Sequence, residues 1–434
     1  MTPTSSSLTR KWPVPFFTVW TGQAFSLLGS QLVQFAIIWW LTKTTGSATV
    51  LATASLVGLL PQVLLGPLSG TLVDRWNRRI VMIVADSVIV LATVALAFLF
   101  WMDVIELWHV YVLMFVRATA GGFHWPAMQA STSLMVPKEH LSRIQGLNQM
   151  LQGGMNIFSA PLGALLLELL PIQGILAIDV GTAMIAIIPL FFINIPQPES
   201  RVSPGIPETK TSVWDDFRAG LRYVGSWPAL LMILGMAMGI NLLLTPATSL
   251  QPLLVSEYFN GGAFQLAMLQ STFGIGMLVG GFILGVWGGF RRRIVTSMMG
   301  LIILGSGMAI IGLAPSWAFG LVVAVMFLVG VSLPMVNGPI QAVLQAVVEP
   351  DMQGRVFTLV ASLAAAMTPL GLIIAGPVAD AFGVNIWYVI GGLVTILMGV
   401  SGFLLPTVLH IEDGRPVGAI KADEQPVSKI KLGG

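Results

Sequence analysis

The side chains of this sequence that could do chemistry are a few charged residues set inside long apolar stretches. Arg117 lies between "LWHVYVLMFV" and "ATAGGF", and Asp179 lies within "ILAIDVGTAMIAII". If these stretches span a membrane, such charges are costly and are kept for pairing or for a functional pathway. A buried carboxylate that meets an arginine in one state and loses it in another changes its affinity for a proton. The pattern therefore predicts proton transfer.

Other kinds of chemistry find little support in the composition. The chain has no Cys, which excludes disulfides, thiol catalysis and iron–sulfur ligation. The four His residues, at positions 109, 124, 140 and 410, are too scattered for a zinc site of the usual spacing. No paired carboxylates in a polar setting, Ser–His arrangement or phosphate loop is present. We predict no enzymatic activity, no catalytic residue, no cofactor and no metal site.

The elements that must position these charges are apolar helices. The chain is 55% hydrophobic and only 9% charged, and a membrane-spanning helix needs about 20 mostly apolar residues. A soluble core would need more charge to cover its surface. We predict an all-α polytopic membrane protein whose twelve helices lie at residues 14–42, 46–72, 80–102, 107–136, 141–168, 172–195, 228–253, 263–288, 293–313, 316–347, 355–380 and 386–408.

The Lys and Arg residues predict the orientation. They precede helix 1, occupy every second loop and continue into the C-terminal tail, whereas Lys43 alone belongs to an opposite-side loop. Loops rich in Lys and Arg face the cytoplasm. The polar and basic start leads into an apolar run longer than a signal-peptide core. We therefore predict a multi-pass protein of the cell inner (cytoplasmic) membrane with both termini cytoplasmic.

The chain divides into two similar parts. A Pro-rich polar stretch at 196–214 is followed by "DDFRAGLRYV", which predicts an amphipathic helix on the membrane surface. "PAMQASTSLMVP" in helix 4 and "PIQAVLQAVVEP" in helix 10 share their proline spacing. The predicted units are a six-helix bundle at 1–195, a cytoplasmic linker at 196–227, a second six-helix bundle at 228–408 and a cytoplasmic tail at 409–434.

Two parallel six-helix repeats are the architecture of the major facilitator superfamily. The loop "GTLVDRWNRR" between helices 2 and 3 resembles that superfamily's signature, with Asn77 where glycine is usual; Asn tolerates a left-handed turn. The second-half loop "GVWGGFRRRI" has Gly288 in place of the acid. The resemblance implies a cytoplasmic gate, and the alternative is a plain topological anchor. The gate residues would be Gly70, Asp74, Arg75, Arg78 and Arg79.

A closer resemblance runs from helix 1 to helix 11. "TVWTGQAFSLLGSQLVQFAIIWWLT", "GGFHWPAMQASTSLMVP", "YFNG" and "GRVFTL" are similar to the macrolide-efflux (Mef) branch of the drug:proton antiporters. The resemblance implies proton-driven efflux of macrolide-type or other bulky hydrophobic drugs by alternating access. The alternative is export of a siderophore or another secreted metabolite. The expected partners are a small-molecule drug, protons and the lipid bilayer, without nucleic acid, and the expected state is a monomer.

Three residues are candidates for proton coupling. Arg117 resembles the helix-4 arginine that antiporters of this superfamily associate with proton transfer. At 1.5 Å per residue, Arg117 lies roughly 15 Å and Asp179 roughly 10 Å from the outer helix ends, so they could meet. A permanently paired structural role is the alternative. We expect Asp86 to be a structural partner of the charged loop, with proton transfer as its alternative. Asp380 and Glu168, at outer helix ends, are expected to be solvated or capping residues, with a role in proton coupling as the alternative.

Polar faces on helices 1, 4 and 7 predict a substrate cavity. Helices 1 and 7 occupy equivalent places in the two repeats, and neutral polar groups in a roomy apolar site suit a large amphiphile. Interhelical hydrogen bonds are the alternative. The candidate cavity residues are Gln23, Ser30 and Gln34 on helix 1, His124 on helix 4, and Asn241 and Thr245 on helix 7.

Overall fold

The computed structural model describes residues 12–197 and 213–414, apart from the side chains of 67–68, 70–71, 74–75, 138 and 213–217. The prediction of an all-α polytopic fold is confirmed. The long helices are α1 Pro13–Thr45, α2 Ala48–Arg75, α3 Arg78–Trp101, α4 Leu107–Met135, α5 Leu141–Leu169, α6 Ile172–Phe192, α7 Pro228–Ser249, α8 Ala263–Trp287, α9 Arg293–Leu313, α10 Phe319–Val347, α11 Pro350–Phe382 and α12 Asn385–Leu404.

Most of these helices have the character of membrane spans. Within the described ranges, 11 helices are long and apolar enough to cross a bilayer. The remaining long helix, α4, has 29 residues, and Arg117 and His124 lower its hydropathy. Helix α4, which carries Arg117 and His124, is therefore the one described long helix that falls short of this character.

Local sequence signals begin and end the helices. Ser47 precedes α2, and its hydroxyl accepts a hydrogen bond from Val50 N. Asn77 caps α3 by accepting from the amides of Arg79 and Ile80, with φ −67° and ψ 108°. Asn77 therefore does not use the left-handed conformation that the sequence comparison allowed. Its side chain serves instead as an N-cap, a role that Asn fills as well as any residue.

The two six-helix halves repeat one packing pattern. In the first half α1 packs on α6, α4 on both α2 and α3, and α3 on α6; in the second half the corresponding pairs are α7–α12, α10 with α8 and α9, and α9–α12. The halves meet where α2 packs on α11 and α5 packs on α8. This arrangement places α2, α5, α8 and α11 at the interface between the halves.

Burial differs between the two sides of the bundle. We call the side at which α1 begins the terminal side, and the side of the 46–47 loop the distal side. One distal apolar cluster joins both halves and includes Leu41, Leu51, Leu250 and Tyr388. Towards the terminal side, the described apolar clusters each belong to a single half. The halves are therefore sealed together at the distal side.

The linker helix, Val213–Gly225, packs against the second half. Tyr223 and Val224 are buried in that half's terminal-side cluster. A Cβ on Gly220 would lie 3.3 Å from Arg355 O of α11, so glycine allows close approach. Residues 198–212 of the predicted linker lie outside the described residues.

Candidate functional site

Arg117 and Asp179 form an ion pair inside the first half. Arg117 Nη1 lies 2.8 Å from Asp179 Oδ2, and the two side chains are 12% and 1% exposed. Helix α4 supplies the arginine and α6 the carboxylate, with α3 between them. The structure thus brings together two charges that lie 62 residues apart in sequence.

Two hydroxyl groups complete the surroundings of Asp179. Thr93 Oγ1 of α3 donates to Asp179 Oδ2 at 2.9 Å and also accepts from Arg117 Nη1. Ser30 Oγ of α1 donates to Asp179 Oδ1 at 3.2 Å. The carboxylate therefore has hydrogen-bond donors on both of its oxygens. Sequence reasoning missed Thr93, because a lone threonine in an apolar helix carries no signal of its neighbours.

Asp86 belongs to a second buried cluster. Its Oδ2 accepts a hydrogen bond from Gln23 Nε2 at 3.0 Å, and its Oδ1 lies 3.3 Å from His124 Nε2. The described contacts of Asp86 are therefore with helices α1 and α4, and not with the charged loop to which the sequence analysis assigned it. Asp86 faces inward to α1 and α4, whereas Arg79 of the loop turns to the end of α6.

A cavity of about 800 Å³ lies between α1, α2, α3, α4 and α5. Six predicted site residues line it: Gln23, Ser30, Gln34, Asp86, Arg117 and His124. Among the described side chains Ser249 is the one lining residue from the second half. Asp179 is outside the lining, so Arg117 stands between this carboxylate and the cavity.

The two cavity residues predicted on α7 are placed elsewhere. Asn241 donates to Ala237 O at 2.9 Å within its own helix and accepts from Thr368 of α11 at 3.5 Å. Neither Asn241 nor Thr245 is among the described residues that line the cavity. The described cavity is therefore mainly a feature of the first half.

The loop arginines bind backbone carbonyls of their own half. Arg78 Nη1 donates to Ala130 O at 2.9 Å, and Arg79 Nη2 donates to Phe191 O at 2.5 Å. Of the other three predicted gate residues, Gly70 lies within α2, and the side chains of Asp74 and Arg75 lie outside the described residues.

Asp380 joins the two halves at the distal side. Its carboxylate accepts from Ala48 N at 2.7 Å, Thr49 N at 3.1 Å, Thr49 Oγ1 at 2.6 Å and Ser47 Oγ at 3.3 Å. An acid is well placed at a helix N-terminus, where backbone amides lack partners. The sequence suggested a capping role, but it could not show that the capped helix, α2, lies in the other half.

Comparisons with known proteins agree with this architecture. The chain matches the Major Facilitator Superfamily over residues 19–367 and 245–433. It is 36% identical over 391 residues to macrolide efflux protein A of Streptococcus pyogenes, covering 90% of this chain and 96% of that protein. It is 26% identical to the multidrug efflux pump Tap of Mycolicibacterium fortuitum, covering 88% and 94%.

A solved structure shows the same fold at low identity. It is a bacterial homolog of the human lysosomal transporter Spinster, with a TM-score of 0.65 and 14% identity over 93% of this chain and 98% of that one. Two helical halves, their repeated packing and these similarities lead to one conclusion: the chain is a transporter of the major facilitator superfamily, related to drug-efflux proteins.

Proposed function

We propose that this protein exports macrolide-type or other bulky hydrophobic drugs across the cytoplasmic membrane in exchange for protons. The observation that carries the proposal is the buried Arg117–Asp179 pair at the wall of a cavity of about 800 Å³. The relatives named as macrolide and multidrug efflux proteins support the substrate class. The pair supports proton coupling, because a nearby opposite charge favours the ionised form of a carboxylate and a change of conformation can remove that charge.

The two sides of the bundle suggest the direction of transport. Lys and Arg counts favour a cytoplasmic terminal side, so the sealed distal side faces outward in our proposal. In this state the drug reaches the cavity from the cytoplasm. Opening outward requires the distal cluster and the Asp380 contacts to separate. A proton from outside then reaches Asp179 and releases Arg117. The state open to the cytoplasm thus favours the drug, and the state open to the outside favours the proton.

The cavity wall suits a large amphiphile. Glutamine and serine side chains lie among leucine, isoleucine and methionine along it, and neutral polar groups in a roomy apolar site can serve varied substrates. One chain contains the complete described cavity, so we propose the monomer as the transporting unit.

A drug-accumulation assay in a host without its own drug pumps tests the proposal. Expression should lower the cellular content of a radiolabelled macrolide, and a protonophore should abolish the difference. Export that survives collapse of the proton gradient and follows ATP instead would contradict the proposal. A parallel panel with a ferric siderophore would show whether a secreted metabolite is preferred.

A further inference from the structure

The charged groups in the cavity wall are paired, whereas several of its amide groups are not. Arg117 Nη1 lies 2.8 Å from Asp179 Oδ2, and His124 Nε2 lies 3.3 Å from Asp86 Oδ1. Four glutamines line the same cavity and have no hydrogen-bond partner among the described residues. These residues, which we call the amide array, are Gln31 and Gln34 of α1, Gln62 of α2 and Gln152 of α5.

Helix packing does not account for the amide array. A side-chain amide inside a bilayer is costly, and it is ordinarily used to form a hydrogen bond to a neighbouring helix. Gln173 of α6 does so by donating to Phe100 O of α3 at 3.0 Å, and Gln23 of α1 does so by donating to Asp86 of α3. The amide array makes no such bond within the described part of the chain, so its hydrogen-bonding groups are available to a ligand.

The helix faces direct the amide array into one space. Residues three, four or seven apart lie on the same face of a helix. The cavity face of α1 carries Ser30, Gln31 and Gln34, and that of α2 carries Ser55 and Gln62. At 1.5 Å per residue, Gln31 and Gln62 both lie about 21 Å from the distal ends of their helices. Their amides are therefore at a similar depth on two walls of the cavity.

The chemistry of the amide array matches that of hydroxyl groups. Each amide offers an acceptor oxygen and N–H donors and carries no charge. A hydroxyl group also both donates and accepts, so it can satisfy either end of an amide. Carboxylates and phosphates are bound more strongly by charged donors, which the amide array lacks. Trp125 of α4 is 39% exposed and lines the same cavity, where its ring offers an apolar face to hydrocarbon.

We propose that the amide array recognises the hydroxyl groups of an amphiphile that carries several of them close together, while Trp125 packs against the adjoining hydrocarbon. The inference rests on the proposed export function and names the substrate feature that determines affinity. The glutamines are specificity-determining residues, and their recognition requires no charge on the substrate. Because they all belong to the first half, that half holds the substrate.

Competition binding with hydroxyl-masked probes tests this site. Full-length protein in lipid nanodiscs binds tritiated erythromycin in competition with three unlabelled compounds. These are erythromycin itself, clarithromycin, in which one hydroxyl is methylated, and erythromycin cyclic carbonate, in which two neighbouring hydroxyls are masked. All three keep the same amine and macrocycle. The wild type should bind the cyclic carbonate about ten-fold more weakly than erythromycin, with clarithromycin between them, because hydrogen bonds are lost.

Glutamine variants assign the effect to the amide array. Gln31→Met and Gln62→Met keep the length of the side chain and remove the amide. Each should weaken erythromycin binding by about two- to ten-fold and leave the affinity for the cyclic carbonate nearly unchanged, and the double variant should no longer distinguish the probes. Gln345→Met is the control, because it removes an exposed glutamine near the end of α10, and it should bind like the wild type. Size-exclusion profiles confirm that each variant is folded.

Several results would overturn the inference. These are equal or absent binding of the three compounds by the wild type, a double variant that still distinguishes them, and equal weakening of every probe in the glutamine variants, which would indicate a structural role. Proton-driven export of erythromycin is measured separately on the same preparations in proteoliposomes. If export persists while masking has no effect on binding, the hydroxyl site fails and the proposed function stands.

Discussion

The two halves share a helix-packing pattern and differ in what they bury. In the first half Asp86, Arg117, His124 and Asp179 lie within helices and contact one another in two clusters. In the described helices of the second half, charged residues such as Arg293, Arg355 and Asp380 lie near helix ends. A symmetric backbone therefore carries asymmetric chemistry.

The second half is held by close backbone contact. A Cβ on Gly276 of α8 would lie 3.1 Å from Gly330 Cα of α10, and one on Gly305 of α9 would lie 2.7 Å from Ile396 N of α12. Small residues allow such crossings, and dispersion contacts then stabilise them in a lipid environment. The comparison suggests a division of labour, in which the first half couples protons to substrate and the second half is the packed body against which it moves.

The most severe test of this division is Asp179→Asn. Removing the carboxylate leaves Arg117 buried without a counter-charge, a change that costs about 3–5 kcal/mol in buried pairs. We expect drug export to fall to the level of cells without the protein, while membrane insertion is retained. Accumulation of labelled macrolide in cells and quantification of the protein in membranes measure the two effects.

The matched control for Asp179→Asn is Glu168→Gln, which neutralises an exposed acid in the same half and should export normally. Asp380→Asn should also retain more export than Asp179→Asn. If the exposed-acid variants lost as much export as Asp179→Asn, the burial of Asp179 in the first half would not explain its importance.

Gly276→Leu tests whether the second half contributes to export through close helix packing. Its side chain would collide with Phe327 O and Gly330 of α10, and overpacking of this kind typically costs about 1–3 kcal/mol. We expect a lower unfolding temperature in detergent and reduced export in proportion to folded protein. Gly281→Leu is the control on the same helix, because a Cβ there meets nothing within 4 Å. Similar thermal stability of the two variants would remove the packing argument.

Thr93→Val should have a smaller effect on the first half. The substitution keeps the shape and removes the hydroxyl that donates to Asp179. A hydrogen bond of this kind is worth about 0.5–1.5 kcal/mol, so export at a fixed pH should change by about 2–10-fold. Initial transport rates in proteoliposomes measure this change, with Thr119→Val as control, since the Thr119 hydroxyl bonds only within its own helix. An unaltered rate would mean that Thr93 only fills space.

The smallest effects are expected at the two sides of the interface between the halves. Asp380→Asn should weaken distal closure, and Asp74→Asn should weaken closure at the terminal side. The two variants should therefore shift the ratio of distally closed to terminally closed molecules in opposite directions, each by about two- to five-fold. The absence of native Cys allows spin labels to be placed uniquely, at 103 and 317 for the distal side and at 139 and 291 for the terminal side. Equal distance distributions in both variants would reduce the loop around Asp74 to a topological anchor.

The sequence predicted the helices well, because apolar length and caps such as Ser47 are local signals. It also allowed Arg117 and Asp179 to meet, since depth along a helix can be counted. It did not predict lateral neighbours. Asp86 was assigned to the nearby loop, yet its contacts are 63 residues away on α1, and Asp380 contacts a helix more than 300 residues away. Which helices are adjacent depends on the whole bundle and leaves no local pattern.

The central claim is that the Arg117–Asp179 pair couples protons to export. Its most direct test is transport as a function of pH in proteoliposomes, with a dye reporting substrate-driven proton movement, for wild type, Asp179→Asn and Arg117→Ala. We predict a pH-dependent rate with proton counterflow in the wild type, neither feature in Asp179→Asn, and a displaced pH profile in Arg117→Ala. Wild-type proton counterflow in the Asp179 variant would contradict the claim and make Asp86 the next carboxylate to test.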